Sequence, residues 1–170
     1  MINRCAASMF VAFSVLFKGQ FLAWEPSMLI EWDDSLSVGH ALIDQDHKVL
    51  VAIINKLSDA RDKDCGKEIV ADILSDLSDY IGYHFEHEEQ VMRRFNYKYA
   101  PEHVHEHTEL IKGLDMLVYE FERSVETVDA DTLEFLKHWL VEHIKGCDHK
   151  LALFLRKADG VAADTSTPLT

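Results

Sequence analysis

Four stretches of this chain repeat apolar residues at alternating steps of three and four, the period of a helix face, and polar residues sit inside those faces. The first stretch, Val38 to Asp62, carries Ile43, His47, Leu50, Ile54 and Leu57 on one stripe. The second, Lys67 to Phe95, carries Ile73, Leu77, Tyr80, His84, Glu88, Val91 and Phe95. The third, Pro101 to Arg123, carries His103, His107, Leu110, Leu114, Leu117 and Phe121. The fourth, Asp129 to Lys157, carries Leu133, Leu136, Leu140, His143, Cys147, Leu151 and Phe154. Long helices with short connections pack as antiparallel neighbours. The expected fold is therefore all-α, an up-down-up-down antiparallel four-helix bundle. With only 7 Gly and 3 Pro in 170 residues, the turn chemistry for an all-β fold is missing.

Burying a polar side chain costs free energy unless it is paired, and burying a charge costs more. A single histidine on an apolar face is ordinarily a satisfied core residue. Here His47, His84, Glu88, His103, His107 and His143 occupy such positions on all four helices. Six unrelated hydrogen-bond solutions are a poor explanation; a shared cation satisfies all six together. The i,i+4 pairs His84/Glu88 and His103/His107 place donors one above the other, as a chelate needs. Imidazole and carboxylate without thiolate suit iron, manganese or zinc. So many donors suit two metals with bridging carboxylates. Asp148 completes the set, but lies five residues after His143, about 140° around an ideal helix. Either a long reach joins the two, or the turn between them is underwound as a π-bulge, which Gly146 would ease. The histidines off the stripes, His40, His87, His105, His138 and His149, read as solvent-facing or as supports for the ligands.

Other features exclude function classes. The net charge of −13 disfavours nucleic acid and anionic membrane as partners. Cys5, Cys65 and Cys147 are odd in number, distant and without a C-x-x-C pair, so no disulfide framework or zinc ribbon is expected, and a reducing compartment is favoured. The apolar run from Cys5 to Phe17 is too short to span a bilayer and lacks a small-x-small cleavage site. Residues 1–27 are read as an extension with Met28 the true start, residues 28–158 as the domain and residues 159–170 as a frayed tail. A cytoplasmic monomer is expected; export or membrane association through residues 1–27 is the alternative.

The residues also match a family pattern. Trp32, Gly39-His40 and Ile43-Asp44-Gln45-Asp46-His47-Lys48 are followed by His84-Phe85-x-x-Glu88-Glu89. Then come Tyr97, His103 and His107, and last Trp139-Leu140-x-x-His143-Ile144 with Asp148 five beyond the histidine. From Met28 to Lys157 the chain resembles the bacterial hemerythrins. Lys98 departs from the proline many members have there, in a loop away from the ligands. The resemblance implies two iron ions held by His47, His84, Glu88, His103, His107, His143 and Asp148, with an oxo or hydroxo bridge. It assigns three histidines to one iron and two to the other, leaving a vacancy where dioxygen binds and is released. Phe85, Trp139, Leu50, Leu110 and Leu114 would wall that vacancy from water, although core packing explains them equally well. The expected function is reversible oxygen binding, for storage or delivery to an oxygen-consuming enzyme, without catalysis. An oxygen or redox sensor, or an iron-repair or nitric-oxide-handling module, is the alternative. A ferritin-like oxidase would need two Glu-x-x-His motifs, and only Glu102-His-Val-His105 matches.

Overall fold

The computed structural model describes residues 28–123 and 128–164. Helices α1 (Ala41–Asp62), α2 (Lys67–Arg94) and α3 (Ala100–Arg123) are followed by α4 (Ala130–His143), a π-helical turn (Ile144–Asp148) and α5 (His149–Asp164). The last three form one continuous rod. Helix α1 packs against α2 and α4, and α2 packs against α3. Counting that rod as one helix, the chain is an all-α bundle of four helices. Among the described residues no helix is long and apolar enough to cross a membrane. The expectations for residues 1–27 and 165–170 lie outside the described residues.

Local chemistry sets the helix ends. Gly39 has φ +76°, a left-handed conformation that costs an L side chain. Helix α1 therefore begins at Ala41, three residues later than periodicity suggests, with the His40 ring accepting from Ile43 N at 3.5 Å. The Asp44 carboxylate gathers the entry strand, accepting from Ser37 Oγ and Val38 N at 2.7 Å each. Helices α1 and α2 both end in Schellman turns with a left-handed residue, Asp64 (φ 52°) and Asn96 (φ 49°). Cys65 N donates to Ala60 O at 2.8 Å, and Tyr97 N to Met92 O at 3.0 Å. Asp129 caps α4 by accepting from Thr132 N at 2.7 Å. Helix α5 runs to Asp164 rather than stopping near Lys157. Ala158, Ala162 and Ala163 favour helix without contributing to a stripe.

The two ends of the bundle differ. The C-terminal half of α1, the N-terminal half of α2 and the start of α4 bury Ile54, Leu57, Ile73, Leu74, Leu77 and Leu133 almost completely. Each such side chain contributes about 1.5–3 kcal/mol. This aliphatic end sustains the fold, which lets the other end carry buried polar groups. The segment before α1 is pinned over the bundle by Asn55, whose amide exchanges two hydrogen bonds with the Ile30 backbone at 2.9 and 2.8 Å. Cys147 is a free thiol. Cys65 is disulfide-bonded.

Candidate metal centre

Antiparallel packing brings the start of α1, the end of α2, the start of α3 and the π turn to one level. His47, His84, Glu88, His103, His107, His143 and Asp148 all point inward there, and the most exposed of them, His143, keeps 7% of its surface. They form two groups. Glu88, His103, His107, His143 and Asp148 offer donor atoms within 4.8 Å of one another, and so do His47, His84, Glu88 and Asp148. Glu88 and Asp148 belong to both. Three imidazoles lie on one side, with ring centroids 4.6, 5.2 and 5.1 Å apart. Two lie on the other, 4.9 Å apart.

The underwound turn makes this possible. His149 N donates to Ile144 O, an i→i+5 bond that replaces the α-helical pattern. His143 and Asp148 consequently share a face, and His143 Nε2 lies 3.1 Å from Asp148 Oδ1. Gly146 sits inside the turn.

The contacts within the cluster are close but mostly not hydrogen bonds. His47 Nε2 is 3.0 Å from Asp148 Oδ2, and His107 Nε2 is 3.2 Å from Glu88 Oε2. Yet Nε2 of His47, His84, His107 and His143, both Glu88 oxygens and Asp148 Oδ2 have no hydrogen-bond partner. Each orphaned buried polar atom costs about 1–3 kcal/mol, so several in one place call for a common partner. Lone pairs converging on shared points, at distances short of bonding one another, are the arrangement that cations complete. The donors present fit two metal ions bridged by two carboxylates.

Without a cation the groups polarise each other. Burial would raise Glu88 and Asp148, but nearby imidazoles outweigh it and hold Glu88 below, and Asp148 well below, the usual carboxylate range. Burial would lower His103 and His143; hydrogen bonds and charge from Asp148 and Glu88 instead raise them to about 9 and about 10.

A surrounding layer orients the ligands, and sequence reasoning missed most of it. Asp46 Oδ2 lies 3.7 Å from His84 Nδ1 and accepts from His87 Nδ1 at 2.8 Å, while Asp46 Oδ1 accepts from the Tyr80 hydroxyl at 3.1 Å. Burial pushes Asp46 up, but the facing His84 ring and the hydrogen bonds from His87 and Tyr80 outweigh it and hold it at about 2. Burial and Asp46 push Tyr80 up to about 12. Glu89 Oε1 lies 3.3 Å from His107 Nδ1 and Glu89 Oε2 lies 3.6 Å from Arg93. Carboxylates behind imidazoles fix the tautomer and raise ligand basicity. Asp46 has one signal in the sequence, a charge beside a stripe histidine; Glu89 has none. His87 supports the cluster through Asp46 and is not part of it. His105, His138 and His149 are exposed, and His40 caps α1.

Phe85 stacks on His107 with centroids 3.8 Å apart and planes 5° apart, and meets His143 edge-on at 5.5 Å. Trp139 lies 6.4 Å beyond Phe85, and Trp32 lies 6.5 Å from His47. Leu50 and Leu114 are buried in the same core, and Leu110 is half-buried.

Residues 38–155 match the family model described as the hemerythrin HHE cation-binding domain. A myohemerythrin of Riftia pachyptila is 34% identical over 119 residues, 70% of this chain and 88% of that protein. A hemerythrin-like protein of Naegleria gruberi is 33% identical over 70% of this chain and 87% of its own length. A bacteriohemerythrin of Pseudomonas aeruginosa is 33% identical over 69% of this chain and 75% of its own. A crystal structure of wild-type hemerythrin superposes with a TM-score of 0.68 at 28% identity, covering 73% of this chain and 95% of that one. With a family model spanning most of the bundle, and the buried histidine–carboxylate cluster inside the matched span, the chain belongs to the hemerythrin family.

Proposed function

We propose that the protein binds dioxygen reversibly at a non-haem di-iron centre and serves as an oxygen store or as a carrier to oxygen-consuming enzymes. His103, His107 and His143 would hold one iron, His47 and His84 the other, and Glu88 and Asp148, common to both groups, would serve the two. The observation that carries this reading is the inequality of the two groups, three imidazoles against two around a shared pair of carboxylates. When bound, the iron pair supplies the electrons and the open coordination position that a diatomic guest requires.

The chain's own residues do the rest. Asp46 holds the His84 ring from behind, and Glu89 does the same for His107. On the two-histidine side, where the vacancy would lie, Trp32 stands 6.5 Å from His47 and Phe85 5.6 Å from His84. Apolar side chains there exclude water, which favours release of the guest unchanged. Beyond the cluster and its supports no buried acid or base is needed, which suits a carrier rather than a catalyst. The test is iron analysis combined with repeated cycling of the ferrous protein between air and argon. Two irons per chain and a spectrum that returns over many cycles support the reading. A single turnover that leaves ferric protein and free peroxide overturns it.

A further inference from the structure

An open groove of about 800 Å³ runs over the outside of the bundle between the α2–α3 turn and α5. It continues into a second recess of about 540 Å³ that shares Tyr97, Tyr99 and Lys150 with it. Both volumes fall in the range that holds cofactor-sized molecules. Lys98, Lys150 and Lys157 line the outer arm. All three are exposed, in a chain whose net charge is −13. An anion repelled elsewhere on this surface meets its complement here. The walls between the lysines are flat and apolar. Tyr97 packs on Phe154 with centroids 5.1 Å apart, and Tyr99 stands half-exposed beneath the Lys98 ammonium, which lies 4.5 Å over its ring.

The inner recess ends at the metal cluster. His103 lines it while keeping only 3% of its surface exposed. Its Nε2 faces Asp148 and Glu88 at 3.1 and 3.4 Å, but its Nδ1, the other ring nitrogen, is buried with no partner. The glutamates of that recess, Glu102 and Glu106, keep an anionic group out of the inner end and confine it to the lysine arm.

We propose that this groove binds a planar aromatic phosphate monoester. The phosphate sits among Lys98, Lys150 and Lys157, and the ring system lies against Tyr97 and Tyr99.

Flavin mononucleotide is a suitable probe, because stacking on tyrosine quenches its fluorescence. Titration of the full chain, iron-loaded and metal-free, should give saturable quenching. Riboflavin, which lacks the phosphate, should bind at least about tenfold more weakly, a loss of roughly one charge-assisted contact. Lys98→Ala/Lys150→Ala and Tyr99→Ala change exposed residues, and each should weaken binding about tenfold. Bound flavin should slow alkylation of the Cys147 thiol, which lies in the inner recess. No quenching up to millimolar probe, equal binding of riboflavin, unchanged affinity in both variants, or full displacement by equimolar inorganic phosphate would each overturn the proposal. Iron analysis of the same samples separates the two readings. Protein that holds two irons and no flavin overturns this site alone; metal-deficient protein that still binds flavin sustains it and counts against the di-iron reading.

Discussion

His87 donates to Asp46 across 2.8 Å, so a histidine one turn from a ligand acts on the cluster only through a carboxylate. Asp46 in turn faces His84, and Tyr80 fixes its other oxygen. Asp46→Ala removes the support from behind His84 and is expected to weaken metal binding about 10- to 100-fold. His87→Ala should leave two irons per chain, since Asp46 keeps Tyr80. Metal titration of both variants checks this; loss of iron in the His87 variant would place that ring in the cluster itself.

Glu88 is shared by both donor groups, and His107 by one. Glu88→Ala should therefore abolish binding of both irons, whereas His107→Ala should weaken the three-histidine position first. Iron-to-protein ratios after desalting distinguish the two, and retention of both irons in the Glu88 variant would rule out its bridging role.

The metal-free protein should depend on pH in a specific direction. His103 and His143 are raised from 6.5 to about 9 and about 10 by Asp148 and Glu88. A raised imidazole contributes stability that is fully present below pH 6.5 and is lost as pH climbs through 9 to 10. Calorimetry should show the metal-free protein melting about 5 °C or more lower at pH 10 than at pH 7. His143→Gln should flatten that slope. Iron-loaded protein should show less of it, because metal has replaced those protons.

Gly39 holds φ +76° at the entry to α1, and a Cβ there would meet Arg156 Nη1 at 2.5 Å. That guanidinium donates to Val38 O at 3.1 Å, tying α5 to the segment before α1. Gly39→Ala is expected to cost about 1–2 kcal/mol from the left-handed backbone alone, read as a lower melting temperature with iron content unchanged.

Much of this architecture is legible in the order of residues. The 3.6-residue period is strong over each helix, and a polar side chain inside it is expensive enough to stand out. That is why His47, His84, Glu88, His103, His107 and His143 declare themselves, whereas the five-residue step to Asp148 leaves a long reach and an irregular turn both open until the backbone is seen. The supports do not. Asp46 and Glu89 lie at the margins of their stripes, where a carboxylate is indistinguishable from a solvated surface charge until the neighbouring helix is in place. Helix ends escaped for local reasons: a left-handed glycine at residue 39 delays α1, and alanines without pattern extend α5.

The wide turn at Ile144–Asp148 gives the last rod two angular settings. Leu136 and Leu140 orient the part before it, Leu151 and Leu155 the part after it, and the surplus residue between them reconciles the two. Shortening the chain by one residue there would turn everything downstream by about 100°. Leu151 and Leu155 would swing toward water, and Lys150 would leave the groove beside Tyr99. A single inserted amino acid thus keeps the inner ligands and the outer face of the same rod in phase.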